Sequence, residues 1–307
     1  MKPKVTVVGA GNVGAQCAYR LAQRGAADVT LIDVVEGLPQ GKALDMSQAG
    51  AVDGFDALIT GTNNYADTKE SAVVVITAGL ARKPGMSRDD LIGKNAAIMK
   101  SVVENSVKHS PHAVLLIVTN PLDVMTHYAR RISGYPANRV LGMAPLLDAA
   151  RMQYFIADTC KCSIKDVYAE VLGSHGDLMV PVPRLSTVKG KPITELLTAE
   201  QIKAIVDKTT NGGAEIVALL KSGSAYYAPG SAAAAMAEAI VTDSKKVISS
   251  CVQLSGQYGI KNVYLGAPAK LGKAGVEEVL EIELTAAEKG ALQNAAQAVQ
   301  ALYPVLP

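Results

Sequence analysis

Aromatic and metal-binding side chains are scarce in this chain of 307 residues, which has no Trp, two Phe, four His and four Cys. Its core must therefore be aliphatic, and stacking platforms for single-stranded nucleic acid are not expected. Cys160 and Cys162 are separated by one residue, which is not the C-x-x-C spacing of a zinc knuckle or a thioredoxin-like motif. We therefore predict no metal site and no disulfide framework, and a reducing compartment fits this composition best.

An excess of one charge is also missing. Lys and Arg number 30 and Asp and Glu 28, so the formal net charge is +2. This balance gives no general attraction to nucleic acid or to an anionic membrane. The first apolar stretch ends at Gly9, too early for a signal peptide, and no apolar run reaches membrane-spanning length. The sequence predicts a cytoplasmic protein with neither nucleic-acid nor membrane partners.

Short β-branched runs alternate with amphipathic stretches through the first half. Uniformly apolar strands between helices are typical of a parallel sheet covered on both faces, here a doubly wound Rossmann sheet. The predicted strands are 5–8, 29–32, 57–60, 73–76, 114–118 and 140–141. The predicted helices are 12–24, 37–50, 89–109 and 121–132.

The pattern changes near residue 143, and the remainder predicts an α+β substrate domain. Predicted helices are 146–159, 199–221, 231–247 and 286–302, and predicted strands are 167–172, 179–182, 262–266 and 279–283. Thr285 and Glu288 have the spacing of a capping box. We place the domains at 1–143 and 144–307, tightly packed because no Pro, Gly or Ser-rich linker separates them.

A glycine pattern directly follows the first strand. Gly9 permits a tight turn, Gly11 lets the backbone approach a pyrophosphate, and Gly14 allows close helix–strand packing. Asp33 ends the second strand, where a carboxylate binds ribose hydroxyls and repels a 2′-phosphate. An ordinary βαβ turn is the alternative, but this context favours a dinucleotide site with NAD rather than NADP.

Other polar groups follow later strands. Thr77, Ala78 and Gly79 end the fourth strand at the edge where such sheets bind ligands. Residues 79–90 then carry several cations, which indicates either a mobile lid over an anionic substrate or an ordinary solvated loop. Asn120 follows the fifth strand, where its amide could bind cofactor or substrate, cap the next helix, or do both.

Candidate acid–base groups lie in the second half. Asp148 and Arg151 are three residues apart and share a helix face, so a structural ion pair is the simplest interpretation. His175, in a Gly-Ser-His-Gly-Asp segment after an apolar strand, has small neighbours that leave its imidazole room to face a ligand. The three remaining histidines, His109, His112 and His127, are predicted to be surface residues.

In their order along the chain, these motifs resemble the NAD-dependent lactate/malate dehydrogenase family over essentially the whole length. The matching segments are Gly9–Gly14, Asp33, Arg82-Lys83-Pro84-Gly85 with Arg88, Val118-Thr119-Asn120-Pro121, Leu147-Asp148 with Arg151, and Gly173–Asp177. The chain is most similar to the lactate-dehydrogenase-like malate dehydrogenases. Arg82 favours that group, because lactate dehydrogenases have Gln at the matching loop position.

The resemblance implies reversible NAD-dependent oxidation of (S)-malate to oxaloacetate. His175 would be the general base, and Asp148 would orient it. Arg151 would clamp the C1 carboxylate, and Arg88 would polarise the C2 oxygen and belong to the catalytic set. Arg82 would pair with the second carboxylate. A buried Arg without its partner costs about 3–5 kcal/mol, so pyruvate should be disfavoured by roughly 10³-fold.

The resemblance assigns further residues to the two ligands. Those beside the cofactor are Gly9, Gly11, Asn12, Val13, Gly14, Asp33, Thr77, Ala78, Gly79, Asn95, Val118 and Asn120. Those beside the small dicarboxylate substrate are Arg82, Arg88, Asn120, Arg151 and Ala225.

Three alternatives to malate oxidation stay open: a lactate or other 2-hydroxyacid dehydrogenase, an NAD-dependent glycosidase, and a non-catalytic NAD-binding protein. Helix 37–50 has few charges, which is typical either of an interface helix or of packing on the sheet. The resemblance favours a homo-oligomer, a tetramer rather than a dimer.

Overall fold

A computed structural model describes residues 2–80 and 88–307, without the side chain of Arg88. The strands are β1 Lys4–Val8, β2 Asp28–Ile32, β3 Ile59–Thr62, β4 Val73–Ile76, β5 Val114–Ile117, β6 Val140–Pro145, β7 Val167–Tyr168, β8 Val171–Gly173, β9 Met179–Pro181, β10 Thr187–Val188, β11 Lys191–Pro192, β12 Lys246–Ser255, β13 Lys261–Gly272 and β14 Gly275–Val279. The helices are α1 Asn12–Gln23, α2 Leu38–Asp53, α3 Arg88–His109, α4 Leu122–Ser133, α5 Leu146–Cys160, α6 Ala199–Leu220, α7 Tyr227–Val241 and α8 Ala286–Gln300.

The first six strands form a parallel sheet in the order β3-β2-β1-β4-β5-β6. Every residue of β4 and β5 is buried, because the sheet is covered on both faces. The strand order reverses beside β1, which pairs with β2 on one side and β4 on the other. The predicted Rossmann fold is therefore confirmed. Doubly wound sheets bind ligands where the strand order reverses, at the carboxyl ends of the strands.

The sheet continues beyond β6 into the second half of the chain. β12 pairs antiparallel with β6 and β13, and β13 also pairs with β8 and β14. The described residues therefore contain one sheet of eleven strands, with a separate three-stranded sheet of β7, β10 and β11. This shared sheet explains why no linker is visible in the sequence.

One prediction for the second half was wrong. The helix predicted at 231–247 ends at Val241, and β12, a strand of ten residues, was not predicted. The chain turns between them, where Asp243 and Lys245 have positive φ angles of 51° and 58°. β12 depends on pairing with β6 and β13, and strand propensity is too context-dependent to show such pairing locally.

Two smaller differences concern strand bounds. The strand predicted at 167–172 is divided, because β7 belongs to the small sheet whereas β8 joins the large one. The strand predicted at 279–283 lies earlier, at β14. The capping box of α8 is confirmed: Thr285 Oγ1 accepts a hydrogen bond from the Glu288 amide at 3.2 Å, and the Glu288 carboxylate accepts one from the Thr285 amide at 2.8 Å.

The core is aliphatic, as predicted, and Tyr264 is the largest side chain fully buried in it. Helix α7, from the second half, packs directly on α1 of the nucleotide fold. A Cβ added to Gly230 would lie 2.7 Å from Cβ of Gln16, so this close approach requires glycine. The second half of the chain therefore packs closely against the helix that follows the glycine turn.

Candidate active site

The glycine turn after β1 has the geometry that the sequence predicts. Gly9 has a φ of +103°, and a Cβ there would lie 2.7 Å from Thr77 Oγ1. A Cβ on Gly14 would lie 1.9 Å from the Gly9 carbonyl oxygen. Helix α1 begins at Asn12 after Gly11, and no described side chain caps its N–H groups. These free donors and the positive end of the helix dipole are suited to bind a phosphate.

Asp33 joins the end of β2 to this turn. Its Oδ2 accepts a hydrogen bond from the Ala10 amide at 2.6 Å, and its Oδ1 accepts one from the Val35 amide at 3.0 Å. Lys42, which sequence reasoning missed, donates from Nζ to the Ala10 carbonyl at 2.7 Å. A carboxylate and an ammonium group therefore flank the glycine turn.

Thr77, Ala78 and Gly79 lie where β4 ends. Thr77 Oγ1 donates to the carbonyl oxygens of Val8 or Gly9, each at 3.1 Å. A Cβ added to Gly79 would lie 2.5 Å from Thr119 Cγ2, so the segments that follow β4 and β5 lie close together. These small residues keep the carboxyl edge open.

Asn95 lies behind this edge on α3 and is fully buried. Its Oδ1 accepts from the Leu80 amide at 2.8 Å, and its Nδ2 donates to the carbonyls of Leu80 and Asn120 at 3.1 Å and 2.7 Å. Asn120 itself does not cap α4, because the residue at the cap position is Pro121. Asn95 thus links the ends of β4 and β5.

A cavity of about 310 Å³ lies between the two halves of the chain, at the carboxyl ends of the parallel strands. The predicted residues that line it are Val13, Val118, Asn120, Arg151, His175 and Ala225. The lining residues that sequence reasoning missed include Thr210, Asn211, Gly213 and Ala214 of α6, with Ser224 beyond it. Asn12 faces a separate open depression of about 350 Å³ between α1 and α2.

His175 and Asp148 form a hydrogen-bonded pair at the wall of the cavity. His175 Nδ1 lies 2.9 Å from Asp148 Oδ2, and the side chains are 18% and 1% exposed. Because a carboxylate only accepts, Nδ1 carries a proton and Nε2 is left free. Burial disfavours the charged ring, but the Asp148 charge, its hydrogen bond and the Asp123 charge outweigh it and raise the pKa of His175.

Arg151 binds the other oxygen of Asp148, with Nη1 to Oδ1 at 3.1 Å. The Arg151 side chain is 14% exposed and lies along α6. A Cβ on Gly212 would lie 3.4 Å from Arg151 Cδ, and a Cβ on Gly213 would lie 3.4 Å from Arg151 Nη2. Adjacent glycines inside a predicted helix were a signal for this contact that sequence reasoning did not use. The predicted ion pair is present, and its Asp148 also holds His175.

Three further predictions have different outcomes. Arg82 and the side chain of Arg88 lie outside the described residues. His127 was predicted to be a surface residue, but it is half-buried and stacks on Tyr303 with ring centroids 3.7 Å apart. Burial and two neighbouring arginines lower the pKa of His127 to about 4.

Two family models match consecutive parts of the chain. The model for the lactate/malate dehydrogenase NAD binding domain matches residues 3–142, and the model for the alpha/beta C-terminal domain matches residues 146–302. The chain belongs to the lactate/malate dehydrogenase family, and its cofactor is NAD.

Individual relatives agree with this assignment. A malate dehydrogenase from Chlorobium luteolum is 54% identical over 97% of this chain and 96% of its own length. The structure of a malate dehydrogenase from Salinibacter ruber has a TM-score of 0.95 at 46% identity, covering 99% of this chain and 97% of that one. A lactate dehydrogenase from Cryptosporidium parvum, complexed with lactic acid and NAD, has a TM-score of 0.96 at 41% identity, covering 100% and 98%. Both enzymes superpose equally well, so side chains and not the fold decide the substrate.

Proposed function

We propose that this chain is a malate dehydrogenase that interconverts (S)-malate and oxaloacetate with NAD. The observation that carries the proposal is the Asp148 carboxylate, which binds His175 with one oxygen and Arg151 with the other beside the cavity. One buried group thereby orients a proton carrier and a carboxylate-binding cation toward the same space.

The residues around the glycine turn fit the cofactor. The uncapped N–H groups of α1 would bind the pyrophosphate, and Asp33 would accept hydrogen bonds from the adenosine ribose. When bound, the nicotinamide exchanges a hydride with C2 of the substrate. The nicotinamide would be surrounded by Val13, Val118 and the Thr77–Gly79 segment. Asn95 would support this site through Leu80 and Asn120, because both donors of its amide are already used within the protein.

His175 carries the proton in this mechanism. Its Nε2 takes the hydroxyl proton as malate is oxidised and returns it as oxaloacetate is reduced. Asp148 holds the tautomer with Nδ1 protonated and stabilises the imidazolium. Reduction needs the protonated ring, so its rate should fall as pH rises through the pKa of His175. Oxidation needs the neutral ring, so its rate should fall as pH drops through that pKa.

The arginines bind the substrate charges. Arg151 keeps donors free beyond the one given to Asp148, and they can form two parallel hydrogen bonds with the C1 carboxylate. We propose from the sequence that Arg88 polarises the C2 oxygen and that Arg82 pairs with the C4 carboxylate. Ala225 leaves room in the cavity for a four-carbon acid.

Steady-state rates test the assignment directly. Oxaloacetate and pyruvate are each compared with NADH and with NADPH in metal-free buffer. We expect oxaloacetate with NADH to have the highest kcat/KM, with pyruvate lower by roughly 10³-fold because Arg82 then lacks its partner. A preference for pyruvate would instead support a lactate dehydrogenase, and the absence of turnover with any 2-oxo acid would contradict the proposal.

Arg82→Gln tests the discriminating residue. We expect the preference to shift toward pyruvate by orders of magnitude, because the amide cannot pair with a carboxylate as an ionic partner. Lys83→Gln removes the same charge from the adjacent position and should leave the oxaloacetate-to-pyruvate ratio unchanged. Equal ratios for wild type and Arg82→Gln would contradict the role of Arg82.

Assembly and location are also proposals. We propose a homo-oligomer, a tetramer rather than a dimer, with α2 in an interface. The apolar side chains Leu44 and Val52 of α2 are 62% and 88% exposed. Sedimentation velocity would test this, and a monomer at micromolar concentration would contradict it.

No helix in residues 2–80 and 88–307 is long and apolar enough to cross a membrane. We propose that the protein works in the cytoplasm, in the tricarboxylic acid cycle. The division into domains 1–143 and 144–307 is proposed to fall within β6, which pairs with β5 of the first half and β12 of the second.

A further inference from the structure

A second buried carboxylate, Asp123, lies close to His175. It is the second residue of α4, follows Asn120 by three positions and is 4% exposed. Its neighbours Leu122 and Val124 are buried apolar residues. An acidic side chain in such surroundings requires partners, because an unpaired buried charge is costly.

Asp123 accepts hydrogen bonds from three donors that lie in two parts of the chain. Its Oδ2 accepts hydrogen bonds from Ser174 Oγ at 2.7 Å and from the His175 amide at 3.1 Å. Its Oδ1 accepts one from Cys251 Sγ, at 3.2 Å, on β12. All three partners donate, so both oxygens of the carboxylate act as acceptors in this cluster. It joins α4 to the loop that carries His175 and to the central sheet.

The loop that carries His175 needs such an anchor. Gly173 and Gly176, on either side of Ser174 and His175, have φ angles of +87° and +114°. The chain therefore turns sharply before and after the histidine. The His175 amide is held by Asp123 and its ring by Asp148, so two carboxylates define the position of this one residue.

We propose that Asp123 is a positioning residue for His175, whose buried carboxylate holds the Ser174–His175 backbone at a fixed place over the cavity and relative to Asn120. The inference rests on the proposed function of His175. Asp123 does not line the cavity, so it acts through His175 and not on the substrate.

The charge of Asp123 acts on the imidazole as well. Within the described residues, the charged groups facing His175 are Asp148 and Arg151 of α5 and Asp123 of α4, while Cys251 of β12 contacts Asp123. Burial raises the pKa of Asp123, and the hydrogen bonds that it accepts oppose this effect. Removing its negative charge should lower the pKa of His175.

Asp123→Asn tests the proposal with little change of shape. The amide has one oxygen for three donors, and an NH₂ group facing the His175 amide would be repelled. We expect kcat for oxaloacetate reduction to fall by roughly 10- to 100-fold, the size found for partners that orient metal-binding histidines, with a smaller change in KM. The alkaline limb of the pH profile should move to lower pH.

NMR titration of the imidazole of His175 in the unliganded enzyme gives an independent measure. Its midpoint should fall in Asp123→Asn, and His175→Asn identifies the signal. This measurement needs no substrate, so it tests Asp123 even if the wild type proves inactive on oxaloacetate. That inactivity would contradict the proposed function alone.

Glu170→Gln is the matched control. Glu170 is a carboxylate that is 3% exposed and accepts a hydrogen bond from Ser249 Oγ at 2.6 Å, outside the active site. We expect it to lower thermal stability and to leave the His175 midpoint and kcat unchanged. The proposal would be overturned if Asp123→Asn and the wild type had the same His175 titration midpoint and kcat values within twofold of each other.

Ser174→Ala provides a second variant if Asp123→Asn does not fold. It removes one hydrogen bond to the carboxylate and keeps the charge. We expect a lower kcat, faster amide hydrogen exchange in residues 173–178 and an unchanged His175 midpoint. Wild-type kcat together with wild-type exchange would overturn the positioning role.

Discussion

Asp148→Asn is the most informative perturbation of the site, because Asp148 is fully buried and uses both oxygens. One oxygen binds His175 Nδ1 at 2.9 Å and the other binds Arg151 Nη1 at 3.1 Å. An asparagine has one oxygen and one NH₂ group for these two donors. If its oxygen stays with Arg151, its NH₂ group must face His175, and Nδ1 then has to accept.

That exchange selects the wrong tautomer. With Nδ1 as acceptor, the ring proton moves to Nε2, which can no longer take the hydroxyl proton of malate. In serine proteases the equivalent change lowers kcat by about 10⁴-fold. We therefore expect a loss of roughly 10³- to 10⁴-fold in kcat, or about 4–5.5 kcal/mol. KM for oxaloacetate should change only a few-fold, because Arg151 keeps its acceptor.

The assay is kcat and KM in both directions as a function of pH. Loss of the Asp148 charge and hydrogen bond lowers the pKa of His175, so the alkaline limb of oxaloacetate reduction should move to lower pH. Asp158→Asn is the control, because Asp158 lies on the same helix, is 54% exposed and pairs only at the surface with Lys161 at 3.0 Å. A loss in kcat below tenfold, or a change confined to KM, would refute this reasoning.

Four further substitutions have outcomes that follow from the surroundings of a single residue. Gly14→Ala would place a Cβ 1.9 Å from the Gly9 carbonyl, so calorimetry should show NAD binding lost and melting should show lower stability. Gly93→Ala has no described atom within 4 Å of its added Cβ and should instead raise helix stability by up to about 1 kcal/mol. Arg151→Lys keeps the charge without the planar fork and should raise KM for oxaloacetate by about 10- to 100-fold, whereas a KM within twofold would contradict the clamp. His127→Gln should leave the pH dependence of kcat unchanged, because a histidine with a pKa of about 4 is neutral at working pH. A shift of either limb of that pH profile would contradict this.

The parts of the site that depend on local pattern were predictable. Gly9 has a positive φ angle, and a Cβ on Gly14 would meet the Gly9 carbonyl oxygen, so these two needs for glycine arise within the turn itself. Asp33 directly follows its own strand. The pair of Asp148 and Arg151 lies one helical turn apart, so the helix itself brings the two together. Such short-range geometry can be inferred from spacing.

The contacts of Asp123 could not be predicted from residue spacing. In the sequence it is an acidic residue in the first turn of a helix, which the helix dipole alone would explain. Its partners Ser174, His175 and Cys251 are 51, 52 and 128 positions away. The one local signal was a carboxylate between two apolar residues, Leu122 and Val124.

The sequence by itself determined the nucleotide fold, the cofactor turn and the residue types available for acid–base chemistry, because these depend on periodicity and on contacts along one strand–turn–helix unit. The tertiary structure alone decided that β12 extends the same sheet and that His175 lies between two carboxylates. It also decided that His127 is half-buried against Tyr303. Burial, pKa and strand pairing are set by groups far apart in the chain, so they exist only once the chain is folded.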